Sequence, residues 1–253
     1  MIHMEQISLR RDGRSILENV NLHMEKGQNW VILGKNGSGK TTILELLNGY
    51  LFPSTGSVEV LGNVYGQCDI REARKRIGYI SQSMLEKLNL SDPVWEVVAT
   101  GEYAFLRFYQ DIPQEVQDKA IGMLDKLGVG HVAKQPLGTI SQGERKKVML
   151  ARSLMTAPDI LILDEACSGL DLFEREKFLQ GLTEMAGDIH IIYVTHHIEE
   201  MIPLFTHVAV IDEGAVLAAG PKREVLTTEL LQQVFDVPVR LEWEKDRPWL
   251  KVI

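Results

Sequence analysis

Residues 34–41 read Gly-Lys-Asn-Gly-Ser-Gly-Lys-Thr, and this loop is the segment that best indicates the fold class. It matches the pattern G-x-x-x-x-G-K-[ST] without a mismatch, after a strand pattern at Asn29–Leu33 and before a helix pattern at Thr42–Leu47. Glycines accept positive φ angles, so successive backbone N–H groups can converge on phosphate oxygens beside the positive end of the following helix. The alternative interpretation, a Gly-rich surface turn, does not require a strand before the loop and a helix after it. We therefore expect a nucleotide site that includes Gly34, Asn36, Gly37, Ser38, Gly39, Lys40, Thr41 and Thr42.

Four side chains have predicted roles in binding phosphate, in binding Mg²⁺ and in activating the attacking water. Lys40 supplies a point charge for the β- and γ-phosphates, and the Thr41 hydroxyl can ligate Mg²⁺. The apolar strand pattern Ile160–Leu163 ends in Asp164 and Glu165, and such strand ends face the ligand crevice of an open α/β sheet. Asp164 is expected at the Mg²⁺ site, and Glu165 is expected to orient or deprotonate the attacking water. The alternative is a strand that ends in an ordinary polar turn.

Strand and helix patterns alternate in the second half of the chain. Ile160–Leu163, Ile189–Thr195 and Val208–Ile211 read as buried strands, separated by helical patterns at 174–185 and 199–204. Such alternation is typical of a parallel sheet covered on both faces. The first sixty residues read instead as short strands. The sequence predicts an α/β fold: a P-loop NTPase core with a mostly parallel sheet, an N-terminal antiparallel β subdomain and an inserted helical subdomain.

No repeat, low-complexity tract or linker divides the chain, so residues 1–253 are expected to form one domain. Within it, residues 1–87 and 157–225 are expected to form the nucleotide-binding core. Residues 88–156 carry helical periodicity and are expected to form the inserted helical subdomain. Residues 226–253 are expected to form an appendage, and residues 236–253 read as a β-hairpin to which the sequence assigns no role.

Composition narrows the class of protein. The 253 residues are 45% hydrophobic and 25% charged, with a net charge of −8, two cysteines, and no apolar run near the roughly 18 residues that span a bilayer. The N-terminus lacks a basic flank followed by an apolar core. These features predict a cytoplasmic globular chain without a disulfide framework. The acidic balance argues against direct nucleic-acid binding.

A second helix start is predicted at Ser141. Residues 141–144 read Ser-Gln-Gly-Glu, which fits the capping box S-x-x-E. Arg145 and the two lysines after it then occupy the first turn, where the helix dipole favours acidic residues. Either an anion is expected beside this turn, or the cations form a solvated face of a capped helix.

Together these motifs resemble the ATP-binding-cassette (ABC) ATPase domain over about residues 2–225. In that family a Leu-Ser-Gly-Gly-Gln signature opens a helix and precedes the acidic strand; here residues 140–144 read Ile-Ser-Gln-Gly-Glu. Ser141 and Gly143, the phosphate-facing positions, match the signature. Ile140, Gln142 and Glu144 depart from it, and Gln142 affects the details of γ-phosphate contact.

The resemblance implies roles for four further residues. Gln82 matches the glutamine that contacts Mg²⁺ or water and relays to the partner, and His196 matches the histidine that contacts the γ-phosphate. Asp171, in Ser-Gly-Leu-Asp, matches a residue that faces the opposite subunit. Arg11 stands where the family usually stacks an aromatic ring on adenine; it either stacks through its guanidinium plane or points to solvent.

The resemblance also implies an assembly. Two copies meet head to tail, and each ATP, with Mg²⁺, lies between Lys40 of one chain and Ser141 of the other. This dimer drives a separate integral membrane permease from the cytoplasmic face, docking through Gln82 and the segment 88–156. The pattern is similar to single-cassette proteins of molybdate or metal-chelate importers, although the sequence names no cargo.

Two other functions compete with transport. A soluble ABC ATPase could remodel a ribosome or an assembly scaffold, but ribosome-associated members usually fuse two cassettes and carry a basic linker. A P-loop kinase would explain the phosphate loop and Asp164, but it would leave Ser141 and His196 unexplained.

Overall fold

The computed structural model describes all 253 residues, and their contacts divide the chain into two compact units. The first unit comprises residues 1–74 and 190–253, and the second comprises residues 75–189. No helix is long and apolar enough to cross a membrane.

The helices and strands follow in chain order. Up to the first unit boundary they are β1 (Ile2–Arg11), β2 (Arg14–Met24), β3 (Trp30–Leu33), α1 (Lys40–Leu47), β4 (Thr55–Val60), β5 (Asn63–Val64) and α2 (Ile70–Lys75). The second unit contains β6 (Ile77–Ile80), α3 (Gln82–Leu85), α4 (Val94–Ala99), α5 (Gln114–Lys126), α6 (Gln142–Ser153), β7 (Ile160–Asp164) and α7 (Leu172–Met185). The rest of the first unit contains β8 (His190–Thr195), β9 (His207–Asp212), β10 (Ala215–Pro221), α8 (Lys222–Val225), α9 (Thr228–Phe235), β11 (Val239–Glu244) and β12 (Arg247–Val252).

The first unit holds an antiparallel sheet and a mainly parallel one. The antiparallel sheet has the strand order β2-β1-β4-β5, as the short-strand pattern of the first sixty residues predicts. In the other sheet β3 pairs in parallel with β8 and β9, and β10 adds an antiparallel edge. Every residue of β3 is buried, because the strand is flanked by neighbours on both edges. The predicted α/β class, with an antiparallel N-terminal sheet, is confirmed.

In the second unit, β6 and β7 pair in parallel, with Ile80 opposite Leu163. Helices α4, α5 and α6 bury their apolar faces against one another, which accounts for the helical periodicity seen in the sequence. Gly101 is required beside α6, because a Cβ there would collide with the Arg152 carbonyl. Arg152 is buried and donates hydrogen bonds to the Thr100 hydroxyl (2.9 Å) and the Phe105 carbonyl (2.7 Å). Its guanidinium therefore fixes the chain that follows α4.

Several elements of the first unit depart from the sequence predictions. The predicted helix at 199–204 is wrong: a single 3-10 turn spans Ile198–Glu200. The Glu200 carboxylate turns into the core there, and Pro203 soon follows, so the turn does not continue as an α-helix. Strand β10 and helix α9 were not predicted. The hairpin predicted at 236–253 is confirmed as β11 paired with β12.

One buried histidine stands at the start of β8. His190 is 3% exposed, and neither of its ring nitrogens has a hydrogen-bond partner. Burial, with a smaller contribution from the charge of the N-terminal amine, lowers the pKa of His190 from 6.5 to about 4. The imidazole is therefore neutral near neutral pH and packs as part of the core.

Candidate functional site

The phosphate loop joins the carboxyl end of β3 to the N-terminus of α1. Gly37 and Gly39 have φ angles of +82° and +102°, which side chains rarely adopt. A Cβ built on Gly34 would collide with the Ile211 carbonyl and would lie 2.7 Å from the Ser38 hydroxyl oxygen. A side chain at Gly34 would therefore displace the loop. The glycines are explained by the backbone conformation and close approach that the sequence predicts.

The interior of this loop suits an anion. The Ser38 side chain is buried, and its hydroxyl has no hydrogen-bond partner. Helix α1 starts without a capping side chain and without an acidic residue in its first turn, so nothing in its own sequence neutralises the helix dipole there. Lys40 is 5% exposed and donates to the carbonyls of Gly34 (2.7 Å) and Lys35 (2.8 Å). An orphan hydroxyl, a buried ammonium group and an uncapped helix start together fit a phosphate chain.

The remaining loop residues lie around this centre. Thr41 is exposed and Thr42 is half-buried, both in the first turn of α1, while Asn36 is exposed at the turn of the loop. Arg11 lies at the end of β1, with its side chain 75% exposed and its Nε 4.0 Å from the Asp12 carboxylate. Whether Arg11 stacks on adenine stays a prediction.

His196 directly follows β8, which pairs with β3, the strand that precedes the phosphate loop. β3 and β8 are parallel, with Leu33 opposite Thr195, so Gly34 and His196 follow two paired positions at one sheet edge. Ligands bind at such carboxyl ends of parallel strands. His196 is half-buried, and its ring lies 4.1 Å from that of His197.

The chain after His196 is fixed by a buried carboxylate. Glu200 is 3% exposed and accepts hydrogen bonds from the Tyr193 hydroxyl (2.9 Å) and the Thr195 hydroxyl (2.6 Å). The His197 N–H in turn donates to the Thr195 hydroxyl oxygen (2.9 Å). Both sides of His196 are therefore tied to the end of β8. No motif marks Glu200, and the sequence prediction missed this network.

In the second unit, the acidic strand end and the glutamine segment share an edge in the same way. Ile80 pairs with Leu163, so Gln82 follows β6 near the level at which β7 ends at Asp164 and Glu165 follows it. Asp164 and Glu165 are half-buried, and Glu165 has a φ of +47°, which is uncommon for a residue with a side chain. Its carbonyl accepts from the Ser168 N–H (3.0 Å) and closes the turn.

A pocket of about 240 Å³ lies within the second unit. It gathers Gln82 with residues next to Ser141 and with the loop before Asp171; its lining is Gln82, Leu85, Gln142, Arg145, Lys146, Ser168 and Gly169. Of this set, the sequence analysis assigned Gln82 to the site, related Gln142 to the γ-phosphate contact, and left open whether Arg145 and Lys146 meet an anion or form a solvated face. Gly169 has a φ of +78° and faces the Gln142 amide oxygen, which would lie 2.8 Å from a Cβ at this position. The departure at Gln142 therefore packs against the loop before Asp171.

The capping box predicted at α6 is confirmed. The Ser141 N–H and hydroxyl donate to the Glu144 carboxylate (2.9 and 2.7 Å), and the Glu144 N–H donates back to the hydroxyl oxygen (3.3 Å). The hydrogen bonds from Ser141, outweighing desolvation and aided by His131 at 2.9 Å, lower the pKa of Glu144. A Cβ at Gly143 would meet the Glu174 carboxylate, so this flexible side chain would have to move aside.

Asp171 begins α7 as its N-cap residue. Its carboxylate accepts from the Glu174 N–H (2.9 Å). Leu172 and Phe173 follow and are 67% and 70% exposed. The turn therefore presents two large apolar side chains beside the aspartate.

These features define a P-loop nucleotide-binding protein: a phosphate loop at the end of a parallel strand and an acidic end on another strand. A family model described as ABC transporter matches residues 17–168. The chain therefore belongs to the ABC transporter family, as an ATP-binding subunit with ATPase activity.

Three similar proteins are informative. The uncharacterized ABC transporter ATP-binding protein YlmA of Bacillus subtilis is 38% identical over 254 residues, covering 99% of this chain and 96% of that protein. The zinc import ATP-binding protein ZnuC of Pseudomonas fluorescens is 29% identical, covering 88% of this chain and 78% of that protein. The solved structure of cbiO1 from Clostridium perfringens, part of the ABC transporter complex cbiONQ, has a TM-score of 0.77 and 29% identity, covering 88% of this chain and 89% of that one. The predicted resemblance is confirmed.

Proposed function

We propose that two copies of this chain bind and hydrolyse ATP between them and thereby drive a separate integral membrane permease that imports its cargo. The observation that carries the proposal is the phosphate loop, with its buried, unpartnered Ser38 hydroxyl and the uncapped start of α1. The same chain presents the signature residue Ser141 at an exposed helix start. Each chain thus holds both halves of an ATP sandwich.

We assign the hydrolytic roles to residues of the phosphate loop and α1 and to residues at or just after the ends of β6, β7 and β8. Lys40 and the loop N–H groups hold the phosphates, and His196 contacts the γ-phosphate. Thr41, Asp164 and Gln82 supply the hydroxyl, carboxylate and amide oxygens that Mg²⁺ prefers. Bound Mg²⁺ would offset charge on the phosphates. Glu165 orients the attacking water and takes its proton.

The proposed contact with the second copy uses exposed residues of the second unit. Ser141 and Gly143 of one chain approach the γ-phosphate held by Lys40 of the other, and Asp171 faces the opposite copy. Exposed Leu172 and Phe173 beside Asp171 support an interface there, since contiguous apolar exposure marks interaction sites. Charge-assisted contacts from both chains then converge on the γ-phosphate, and hydrolysis weakens them.

The permease is proposed to dock on the second unit from the cytoplasmic face. Tyr103 and Phe105 stack with ring centroids 5.5 Å apart over buried Phe108, and they are 44% and 46% exposed. Leu106 (45%) and Tyr109 (92%) extend this surface, which we call the aromatic patch (103–109). Its aromatic character suits the hot spots of a protein interface. The predicted segment 88–156 contains it.

Import, rather than export, is proposed from the zinc import protein among the relatives and from the resemblance to metal-chelate and molybdate importers. The permease, rather than this chain, selects the cargo. We do not assign direct nucleic-acid contacts, in keeping with the net charge of −8.

Glu165→Gln tests the hydrolytic part of the proposal. Hydrolysis is expected to fall by roughly 10²–10⁴-fold, the scale for a general base, while ATP binding persists. The variant should also sediment as a dimer with ATP and as a monomer without it. Glu229→Gln, which changes an exposed residue of α9, is the matched control and should hydrolyse and sediment like wild type. Wild-type turnover by Glu165→Gln would overturn the assignment.

Capture from native membranes tests the partner. Tagged Glu165→Gln with ATP should recover one polytopic membrane protein in stoichiometric yield, identified by mass spectrometry. Adding Tyr109→Ala and Phe105→Ala should abolish recovery, whereas Phe52→Ala, at a 54% exposed residue of the first unit, should not. Recovery of ribosomes or of a soluble scaffold instead would overturn transport in favour of a remodelling ATPase.

A further inference from the structure

We propose that Arg247, in the C-terminal hairpin, is a positioning residue for His196 and sets the rate of ATP hydrolysis without touching ATP. The proposal rests on the role of His196 proposed above. It gives the hairpin β11–β12, to which the sequence assigned no role, a place in the reaction.

The contact is made just after the histidine. The Arg247 Nε–H donates to the Glu199 carbonyl, in the 3-10 turn Ile198–Glu200. β12 packs along this turn. The turn starts two residues beyond His196, so its position sets where the backbone of His196 can lie.

The turn is held from two directions. Toward the core, the Glu200 carboxylate is tied to the hydroxyls of Tyr193 and Thr195. On the other side, the Arg247 guanidinium holds the Glu199 carbonyl. Backbone carbonyls in a one-turn 3-10 segment have few partners within the segment, so an external donor removes much of its freedom. Removing Arg247 removes the hydrogen bond to the Glu199 carbonyl and leaves the core-side hydrogen bonds of Glu200 in place.

The hairpin is anchored firmly enough to serve as this support. Lys245 and Asp246 form its two-residue loop with φ angles of +47° and +62°, and Asp246 pairs with Lys222 and Arg223, each at 2.8 Å. The Lys222 side chain is 4% exposed, and burial lowers its pKa. Desolvation alone would raise the pKa of Asp246, but hydrogen bonds from the two cations hold it below its ordinary value.

A stacking contact adds to this anchor. The Arg223 guanidinium lies 4.1 Å from the centroid of the Trp243 ring on β11. The hairpin is thus attached to α8 through its loop and through β11. Arg247, the first residue of β12, immediately follows the anchored loop, so its side chain leaves from a fixed backbone.

The expected effect lies in turnover. ATP affinity comes mainly from the phosphate loop, which the hairpin does not form, whereas the γ-phosphate contact of His196 needs an accurately placed imidazole. Arg247→Ala should therefore lower kcat about tenfold and change KM for ATP by less than about twofold, the scale for a small misplacement of a reacting group. Arg247→Lys, which keeps a donor, should recover most of this loss.

The experiment compares Arg247→Ala, Arg247→Lys and the matched control Arg240→Ala, an exposed arginine of β11, in the full chain. Steady-state hydrolysis separates kcat from KM. ¹⁵N spectra of histidine-labelled protein, assigned with His196→Ala, report on the imidazole directly. The His196 resonance should shift in Arg247→Ala, return in Arg247→Lys and stay unchanged in Arg240→Ala.

Three results would overturn the inference. One is an Arg247→Ala kcat equal to that of Arg240→Ala while His196→Ala is inactive, which leaves the proposed function intact. Another is a loss of kcat with an unmoved His196 resonance in both Arg247 variants, which indicates a structural role elsewhere. The third is wild-type hydrolysis by His196→Ala, which removes the role of His196 and this inference with it.

Discussion

The starts of α1 and α6 are two helix N-termini built in opposite ways. At α1 no side chain caps the helix, and the Ser38 hydroxyl just before it is buried without a partner. At α6 the Ser141 hydroxyl is exposed and engaged in a capping box with Glu144. Both were predicted to meet phosphate.

The difference assigns the two sites different tasks. At the start of α1 the Ser38 hydroxyl has no partner and can donate to phosphate directly, whereas the Lys40 ammonium would exchange the Gly34 and Lys35 carbonyls for phosphate oxygens. At α6, Ser141 already donates to a carboxylate, so in the proposed dimer a phosphate held by the second copy would compete with Glu144. The first site is therefore suited to bind ATP in the single chain, and the second to respond only when a dimer forms.

Removing the charge of the open site should have the largest effect. Lys40→Ala is expected to lower hydrolysis by at least about 10²-fold, because a buried ammonium at the phosphates is lost. Lys35→Ala is the control, because this substitution removes one positive charge from the loop but keeps the Lys35 carbonyl that accepts from Lys40. Turnover and fluorescent-ATP binding measure both. Equal effects of the two variants would show that general loop charge, and not Lys40, binds ATP.

Removing the cap of the second site should act in two separable ways. Ser141→Ala is expected to lower ATP-driven dimerisation and turnover about tenfold, and to cost about 1 kcal/mol of stability as a lost N-cap. Thr227→Ala removes the equivalent cap of α9, where Thr227 accepts from the Leu230 N–H (3.1 Å). Thermal unfolding and sedimentation with ATP should show similar stability losses but a dimerisation defect in Ser141→Ala alone.

Neutralising the capping carboxylate should make the second site resemble the first. Glu144→Gln keeps a capping box but removes a negative charge from the Ser141 hydroxyl, so ATP-driven dimerisation should strengthen a few-fold, the scale of a partly exposed charge. Glu115→Gln, in the first turn of α5, is the control. Weaker dimerisation of Glu144→Gln would mean that the carboxylate supports the interface instead.

The smallest effect concerns pH. The folded-state pKa of Glu144 lies below its ordinary 4.5, so its contribution to stability is complete above that value and is lost as pH falls through the lower folded pKa. The stability difference between wild type and Glu144→Gln should therefore narrow below pH 4.5. Chemical denaturation at a series of pH values measures it, and a difference that stays constant would contradict the shift.

The sequence predicts structure well where one short motif determines it. The loop at 34–41 and the capping box at Ser141 each depend on local backbone chemistry, so their spacing is enough. β10 was missed because its alanines favour helix and its strand character comes from pairing with β9. The helix predicted at 199–204 failed because Glu200 is buried against β8, a contact that no periodicity signals.

The residues of the candidate site also differ in whether a local sequence motif marks them. Ser141, His196 and the phosphate loop belong to recognisable motifs, so the sequence is enough to propose them as site residues. The Arg247–Glu199 contact joins positions 48 residues apart with no motif at either end, so only the folded chain reveals it.

The buried His190 makes the first unit sensitive to acid. The unfolded chain takes up a proton there near the ordinary pKa of 6.5, whereas the folded chain resists protonation down to about pH 4. Between these values the unfolded state binds more protons, so folding stability decreases as pH falls through this window and is complete only above 6.5. Mild acidification would therefore lower the free energy of unfolding before it protonates most carboxylates.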